Sequence, residues 1–301
     1  MNVLLIFLDG VGIGTKDPER NPIVRAELPA LRSLLGGAVF HRGSARRSSN
    51  LAELSPVNAT LGVGGLPQSG TGQAAIFTGV NAPKRIGRHF GPYPTSELRP
   101  VIEEFNVFRR VLELGKKAVF ANTFPRQFFE YTKSGTRRLT VTSMAAMMAG
   151  VPLLDAEALK RNEGVSADLT RERWPELGYP DIATVTPAVS GSHLADLCRR
   201  HDFVLFEYWL TDHAGHKQDM PWAVDVLERF DAFLGGVVDS IDHSKSTILI
   251  ISDHGNIEDL STKTHTRNPV PLVVTGPGRS RLEKRITNLT HITPAVLALL
   301  S

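Results

Sequence analysis

The run Val3-Leu4-Leu5-Ile6-Phe7-Leu8 stops at Asp9-Gly10, and Thr247-Ile248-Leu249-Ile250-Ile251-Ser252 stops in the same way at Asp253-His254. A short run that is apolar on both faces reads as a central strand of a parallel sheet covered on two sides. A third run, Phe203 to Tyr208, feeds the block Thr211-Asp212-His213-Ala214-Gly215-His216. Further strands are expected over Asn50–Val57, Lys117–Asn122 and Pro271–Val274. Helical spacing is expected over Leu28–Leu35, Gly70–Phe77, Val101–Leu114, Val141–Ala149, Ala188–Arg200, Pro221–Ile241 and Pro294–Leu300. Strands alternating with helices imply an α/β fold: a mostly parallel central sheet with helices on both faces. Ligands in such sheets bind beyond the carboxyl ends of the strands. That is where Asp9, Asp212 and Asp253 begin.

Composition narrows the class. With 301 residues, 42% hydrophobic and 22% charged, the chain has the make-up of a soluble globular protein. A net charge of +3 does not argue for nucleic acid, and His41-Arg42-Gly43-Ser44-Ala45-Arg46-Arg47 reads as a solvated loop. Cys198 is the only cysteine, which excludes an intrachain disulfide. The N-terminal apolar run is too short for a signal peptide or a membrane span, so a cytoplasmic setting without membrane attachment is expected. A single domain over residues 1–301 is expected. Residues 127–185, rich in Pro, Gly and charge, form a small excursion from it, and Pro83 to Pro94 is a loop.

Carboxylates and imidazoles crowded at one sheet edge are costly to bury unless cations neutralise them. Asp9, Asp212, His216, Asp253, His254 and His265, with a hydroxyl from Ser69-Gly70-Thr71, supply such a set. Mixed Asp/His ligation without thiolates suits Zn²⁺ or Mn²⁺ better than Ca²⁺. A hydroxyl at the start of a helix, beside bound cations, is chemically equipped to attack phosphorus.

Leu8-Asp9-Gly10-Val11-Gly12-Ile13, Asp212-x-x-Gly215-His216, Ser252-Asp253-His254-Gly255-Asn256 and Thr264-His265-Thr266-x-x-Pro269-Val270-Pro271 resemble the metal-site motifs of the alkaline phosphatase superfamily. The likeness is strongest to its branch of cofactor-independent phosphoglycerate mutases and phosphopentomutases, and covers about residues 1–125 and 186–301. The resemblance implies one divalent cation on Asp212, His216 and His265. It implies a second on Asp9, Asp253, His254 and the nucleophile. Counting back ten positions from Gly79, or three from Gly72-Gln73, gives Ser69 as that nucleophile in place of Thr71. Gln73 departs from the histidine of the mutase branch. His213 is expected outside the ligand set.

Lys84, Arg85, Arg88, His89 and Arg126 are candidates to bind a substrate anion. The span between Gly79 and Asp212 leaves no room for a full mutase cap. The expected activity is therefore a metal-dependent phosphohydrolase acting on small phosphate mono- or diesters through a phosphoseryl intermediate. A phosphomutase using residues 127–185 as a lid, and a non-catalytic metal-binding module, are the alternatives.

Overall fold

The computed structural model describes residues 1–135, 138–282 and 286–301. Its strands are β1 (Asn2–Leu8), β2 (Arg47–Ser48), β3 (Ala52–Val57), β4 (Ala118–Phe120), β5 (Phe203–Tyr208), β6 (Ser246–Ser252) and β7 (Val270–Thr275). They form one sheet in the order β2-β3-β7-β6-β1-β5-β4. β1 pairs in parallel with β5 and β6, and β4 with β5, whereas β7 runs antiparallel to both β6 and β3. The sheet is thus mixed but mostly parallel in strand direction, as expected.

The helices are α1 (Pro22–Arg25), α2 (Pro29–Leu34), α3 (Ser69–Thr78), α4 (Ala82–Ile86), α5 (Arg99–Phe105), α6 (Val107–Glu113) and α7 (Arg126–Ser134). After them come α8 (Val141–Met148), α9 (Ala156–Lys160), α10 (Pro187–Leu197), α11 (Leu210–Lys217), α12 (Met220–Ser240), α13 (Arg279–Leu282) and α14 (Ile292–Leu300). No helix among the described residues is long and apolar enough to cross a bilayer.

Alternation along β1 divides the core in two. Leu4, Ile6 and Leu8 join Leu194 of α10 and Phe230, Phe233 and Leu234 of α12 on one face. Val3, Leu5 and Phe7 join Ala74 and Phe77 of α3 and Val296 of α14 on the other. Phe7 meets Phe77 edge-on, with ring centroids 5.4 Å apart. Each such buried side chain contributes roughly 1.5–3 kcal/mol. This two-sided burial explains why the strands read as continuous apolar runs.

Two local expectations are corrected. Val101–Leu114 is not one helix: Asn106 ends α5, and its side chain accepts the Arg109 N–H to cap α6. Its Nδ2 donates back to the Ile102 carbonyl, so one buried amide serves both helix ends. Pro83–Pro94 is not all loop, because Asn81 caps the short helix α4. Within residues 127–185, α8 sends Val141, Ala145 and Ala146 into the main core. Ala156, Leu159, Trp174 and Ile182 make a small cluster of their own.

Register positions the site. Leu8 stands opposite both Tyr208 and Ser252. Three parallel strands therefore end level, and the residues that follow them emerge side by side.

Candidate metal centre

Each acidic or imidazole group arrives on a segment that leaves a strand end. Asp9 follows β1, Asp212 and His216 lie on α11 just beyond β5, and Asp253 and His254 follow β6. Adjacent residues reach one site here because the chain turns at Ser252, whose hydroxyl accepts the Val11 N–H at 2.8 Å and donates to the His254 carbonyl at 3.0 Å. Gly10 adopts φ +70°, and a Cβ on it would meet Asp212 Oδ1 at 2.5 Å, so only glycine lets these two segments close. Gly72 plays the same part on α3, where a Cβ would lie 2.9 Å from the Asp253 Cβ.

The seven residues singled out in the sequence form one contact network. His254 Nε2 faces Ser69 Oγ at 2.9 Å, Asp9 Oδ1 at 3.3 Å and Asp253 Oδ2 at 3.5 Å. Its ring stacks on that of His265, centroids 3.8 Å apart. His265 Nε2 lies 3.2 Å from His216 Nε2 and 3.6 Å from Asp212 Oδ1, and His216 Nε2 lies 3.3 Å from Asp212 Oδ2. Two overlapping sets of donor atoms result: Asp212, His216 and His265, and Asp9, Asp212 and His254. Asp212 belongs to both, a sharing that the sequence does not reveal.

Ser69 and Thr71 separate on geometry. The Thr71 hydroxyl is occupied by backbone, accepting the Phe90 N–H and donating to the Gln68 carbonyl, each at 3.2 Å. The Ser69 hydroxyl points at His254. Ser69 is also the first residue of α3, at the positive end of the helix dipole.

The donor set fits cations on several counts. His265 Nδ1 meets the Pro67 carbonyl at 2.8 Å and His216 Nδ1 the Lys263 carbonyl at 2.9 Å. A carbonyl only accepts, so each Nδ1 carries hydrogen and Nε2 is turned inward, the usual arrangement of a ligating imidazole whose outer N–H is held by a carbonyl. Burial, aided by the charge on His254, pushes His265 down to about 4, leaving a bare Nε2 lone pair at neutral pH. Asp9 Oδ1 and Asp253 Oδ2 are buried without a hydrogen-bond partner.

The remaining electrostatics describe a cluster short of positive charge. Burial, reinforced by neighbouring carboxylates, raises Asp9 and raises Asp253 well above the ordinary carboxylate range. Burial opposes ionisation of Asp212 as well, but the His216 hydrogen bond and the His254 charge outweigh it and hold this carboxyl low. His254 is pushed up to about 10: burial works against its charge, but Asp253, Asp9 and Asp212 together prevail. In effect a proton on His254 neutralises what a cation would.

Supporting residues beyond those seven surround the cluster. Asn256 Nδ2 donates to Asp212 Oδ1 at 2.6 Å, fixing the shared carboxylate. Glu258, fully buried, accepts from the Gly12 and Asn256 N–H groups and from the Asn268 amide, lacing the β1 and β6 exits together. Gln73 donates to Asp9 Oδ2 at 3.2 Å, so this departure from the mutase pattern still supports the carboxylate. Glu207 is buried beside them and hydrogen-bonded by Thr142. Burial, with the Asp9 charge adding to it, pushes Glu207 up to about 8. An acid interrupting the apolar run of β5 was its signal in the sequence.

The basic candidates stand outside this contact network. Lys84, Arg85 and Arg88 are exposed, with Arg88 resting over the Phe90 ring, and His89 is half-buried. Arg126 is exposed and pairs with Glu130 at 3.2 Å. No hydrogen bond or ion pair among the described residues joins Arg85, Arg88 or Arg126 to the cluster. His213 packs on Trp209 with centroids 4.6 Å apart.

A mixed sheet with an Asp/His cluster at its carboxyl edge defines a class of protein: the chain belongs to the metalloenzyme superfamily, matched over residues 1–301. The 2,3-bisphosphoglycerate-independent phosphoglycerate mutase of Syntrophotalea carbinolica is 31% identical over 121 residues, covering 38% of this chain and 24% of the mutase. The enzyme of the same name from Acetivibrio thermocellus is 31% identical over 154 residues, 46% of this chain and 30% of that protein. The chain therefore matches less than a third of the length of these curated relatives.

Among solved structures, PH0037 of Pyrococcus horikoshii aligns with a TM-score of 0.60 at 15% identity, covering 99% of this chain and 97% of that one. The alkaline phosphatase of the Antarctic bacterium TAB5 aligns at 0.56 and 11% identity, covering 99% and 98%. At these identities the likeness establishes the fold, which is alkaline phosphatase-like.

Proposed function

We propose that the protein is a metal-dependent phosphohydrolase of small phosphate mono- or diesters, acting through a phosphoseryl intermediate. The observation that carries this reading is the Ser69 hydroxyl, 2.9 Å from His254 Nε2 at the junction of two overlapping carboxylate–imidazole sets. Asp212, His216 and His265 would hold one divalent cation, and Asp9, Asp253, His254 and Ser69 a second, as Zn²⁺ or Mn²⁺. When bound, the cations supply Lewis-acid charge that lowers the hydroxyl pKa and screens phosphate oxygens.

The chain's own residues then do the following. Asp9, Asp212 and Asp253 fix the donor geometry, each held by a neighbour: Gln73, Asn256 and the Gly10 N–H. Ser69 Oγ attacks phosphorus in line, the Oγ–P bond forms as the ester P–O bond breaks, and the leaving oxygen departs on the opposite side. The positive end of α3 favours the phosphoryl oxygens. In a second displacement, water takes the phosphoryl group from Ser69 and frees the hydroxyl.

What supports hydrolysis over retransfer is solvent access at the outer edge of the site, although Ser69 itself is buried. The His216 side chain is 45% exposed, so water reaches the outer set directly. The mutase reading is favoured by the names of the curated relatives, and stands as the rival. A cytoplasmic small-molecule enzyme is the setting this reading implies.

The test loads the protein with Zn²⁺ or Mn²⁺ and offers aryl phosphate mono- and diesters. Release of inorganic phosphate supports the hydrolase. Phosphoryl transfer between hydroxyls without such release supports the mutase. Metal uptake without turnover of any phosphoester would leave a binding module.

A further inference from the structure

Just ahead of Ser69 the chain reads Leu61-Gly62-Val63-Gly64-Gly65-Leu66-Pro67-Gln68. The loop carrying His265 grips this segment twice. His265 Nδ1 takes the Pro67 carbonyl, and Arg267 Nε donates to the Gly65 carbonyl at 3.0 Å. That bond ties the guanidinium to the segment leading into Ser69 and leaves both Nη groups free: no ion pair or further hydrogen bond engages them among the described residues. Arg267 is exposed and its charge is permanent.

His89 lies against the same glycine. A Cβ on Gly65 would stand 3.9 Å from His89 Cδ2, and His89 Nε2 is enclosed without a partner. Burial keeps this imidazole below its ordinary range against the opposing pull of the Val63 and Thr60 carbonyls, and the charges of Arg267 and His254 add to the lowering. His89 thus stands beside the same segment that Arg267 binds.

We propose that Arg267, with His89 beside it, is an anion-reading subsite that selects phosphoesters whose alcohol portion carries a second anionic group, a carboxylate or a phosphate. The inference rests on the phosphoryl-transfer reading above. An arginine whose Nε is already fixed offers its Nη donors with little further ordering, and guanidinium recognises both anions through paired N–H groups. Arg267 is bonded to Gly65, four residues before Ser69, whereas no such bond ties Arg85, Arg88 or Arg126 to that segment among the described residues. On this proposal a substrate held at Ser69 turns its charged tail toward Arg267.

The experiment compares phenyl phosphate, 4-carboxyphenyl phosphate and 1,4-phenylene bisphosphate on the metal-loaded protein and on Arg267→Gln, Arg267→Lys and His89→Asn. In the unaltered protein kcat/KM should be roughly tenfold higher for a doubly anionic ester than for phenyl phosphate, chiefly through KM. The carboxylate and phosphate arms tell which anion is preferred. Arg267→Gln should bring that ratio close to one, Arg267→Lys should restore part of it, and His89→Asn should reduce it less. Turnover of phenyl phosphate with no preference, or a preference that survives Arg267→Gln, overturns the subsite alone. Turnover of none of the three esters overturns the phosphoryl-transfer reading and the subsite with it.

Discussion

Loading the cluster with metal has to displace a proton, and the amount can be worked out. His254 Nε2 sits among Ser69 Oγ, Asp9 Oδ1 and Asp253 Oδ2, all within 3.5 Å. Nδ1 points at the Gly255 carbonyl, 3.4 Å away, so Nε2 is the position a cation would take over. With His254 pushed up to about 10, its proton is held some three pH units above neutrality. Removing it at pH 7 costs about 4 kcal/mol, a reduction of about a thousandfold in apparent affinity. That reduction should shrink about tenfold for each pH unit upward. His265, down at about 4, has no such proton to lose.

Calorimetric titration with Mn²⁺ between pH 6 and 9, in buffers of different ionisation heat, counts the protons released. At least one proton should leave at pH 7, and log affinity for the proton-linked event should rise by about one per pH unit. Affinity flat across this range, with less than about half a proton released at pH 7, would refute the electrostatic account of the cluster.

Three further outcomes are expected. Ser69→Ala should lose about a thousandfold or more in turnover and all labelling of the protein by phosphate while still binding metal; Thr71→Ala should instead cost about 1–3 kcal/mol in urea denaturation, because two buried bonds to backbone are lost. Asn256→Ala frees the Asp212 carboxylate and should weaken metal binding about 10–100-fold, read by competition with a fluorescent chelator. Glu207 is raised from 4.5 to about 8, so the folded protein binds this proton more tightly than the unfolded chain. Its contribution therefore turns destabilising as pH rises from the ordinary carboxyl range to about 8, and the metal-free Glu207→Gln variant should gain in urea midpoint over the parent across that window and no further above it.

How much of this could be read without a fold depends on how local each signal is. The apolar runs of β1, β5 and β6 were legible because two-sided burial leaves no polar alternation, and their endings at or just before acidic blocks marked the edge of the sheet. The residue types of the site were legible for the same reason. The break at Asn106 was not: its amide earns its place by capping one helix and closing another, which spacing of apolar residues does not record. Arg85, Arg88 and Arg126 are exposed and make no bond to the cluster among the described residues, and Arg267, two residues after His265, has no spacing signal of its own.

By itself the sequence determined that three strand ends carry carboxylates and that imidazoles and a hydroxyl accompany them. Only the tertiary structure decided that Leu8, Tyr208 and Ser252 end level, that Asp212 is shared between two donor sets, and that Ser69 faces inward while Thr71 is spent on Phe90 and Gln68. Those facts come from hydrogen bonds and packing between segments as far as 246 residues apart, as between the Gly12 N–H and the Glu258 carboxylate. Strand periodicity is a property of neighbours along the chain, but the direction a side chain faces at a shared edge is set by what the rest of the molecule places against it.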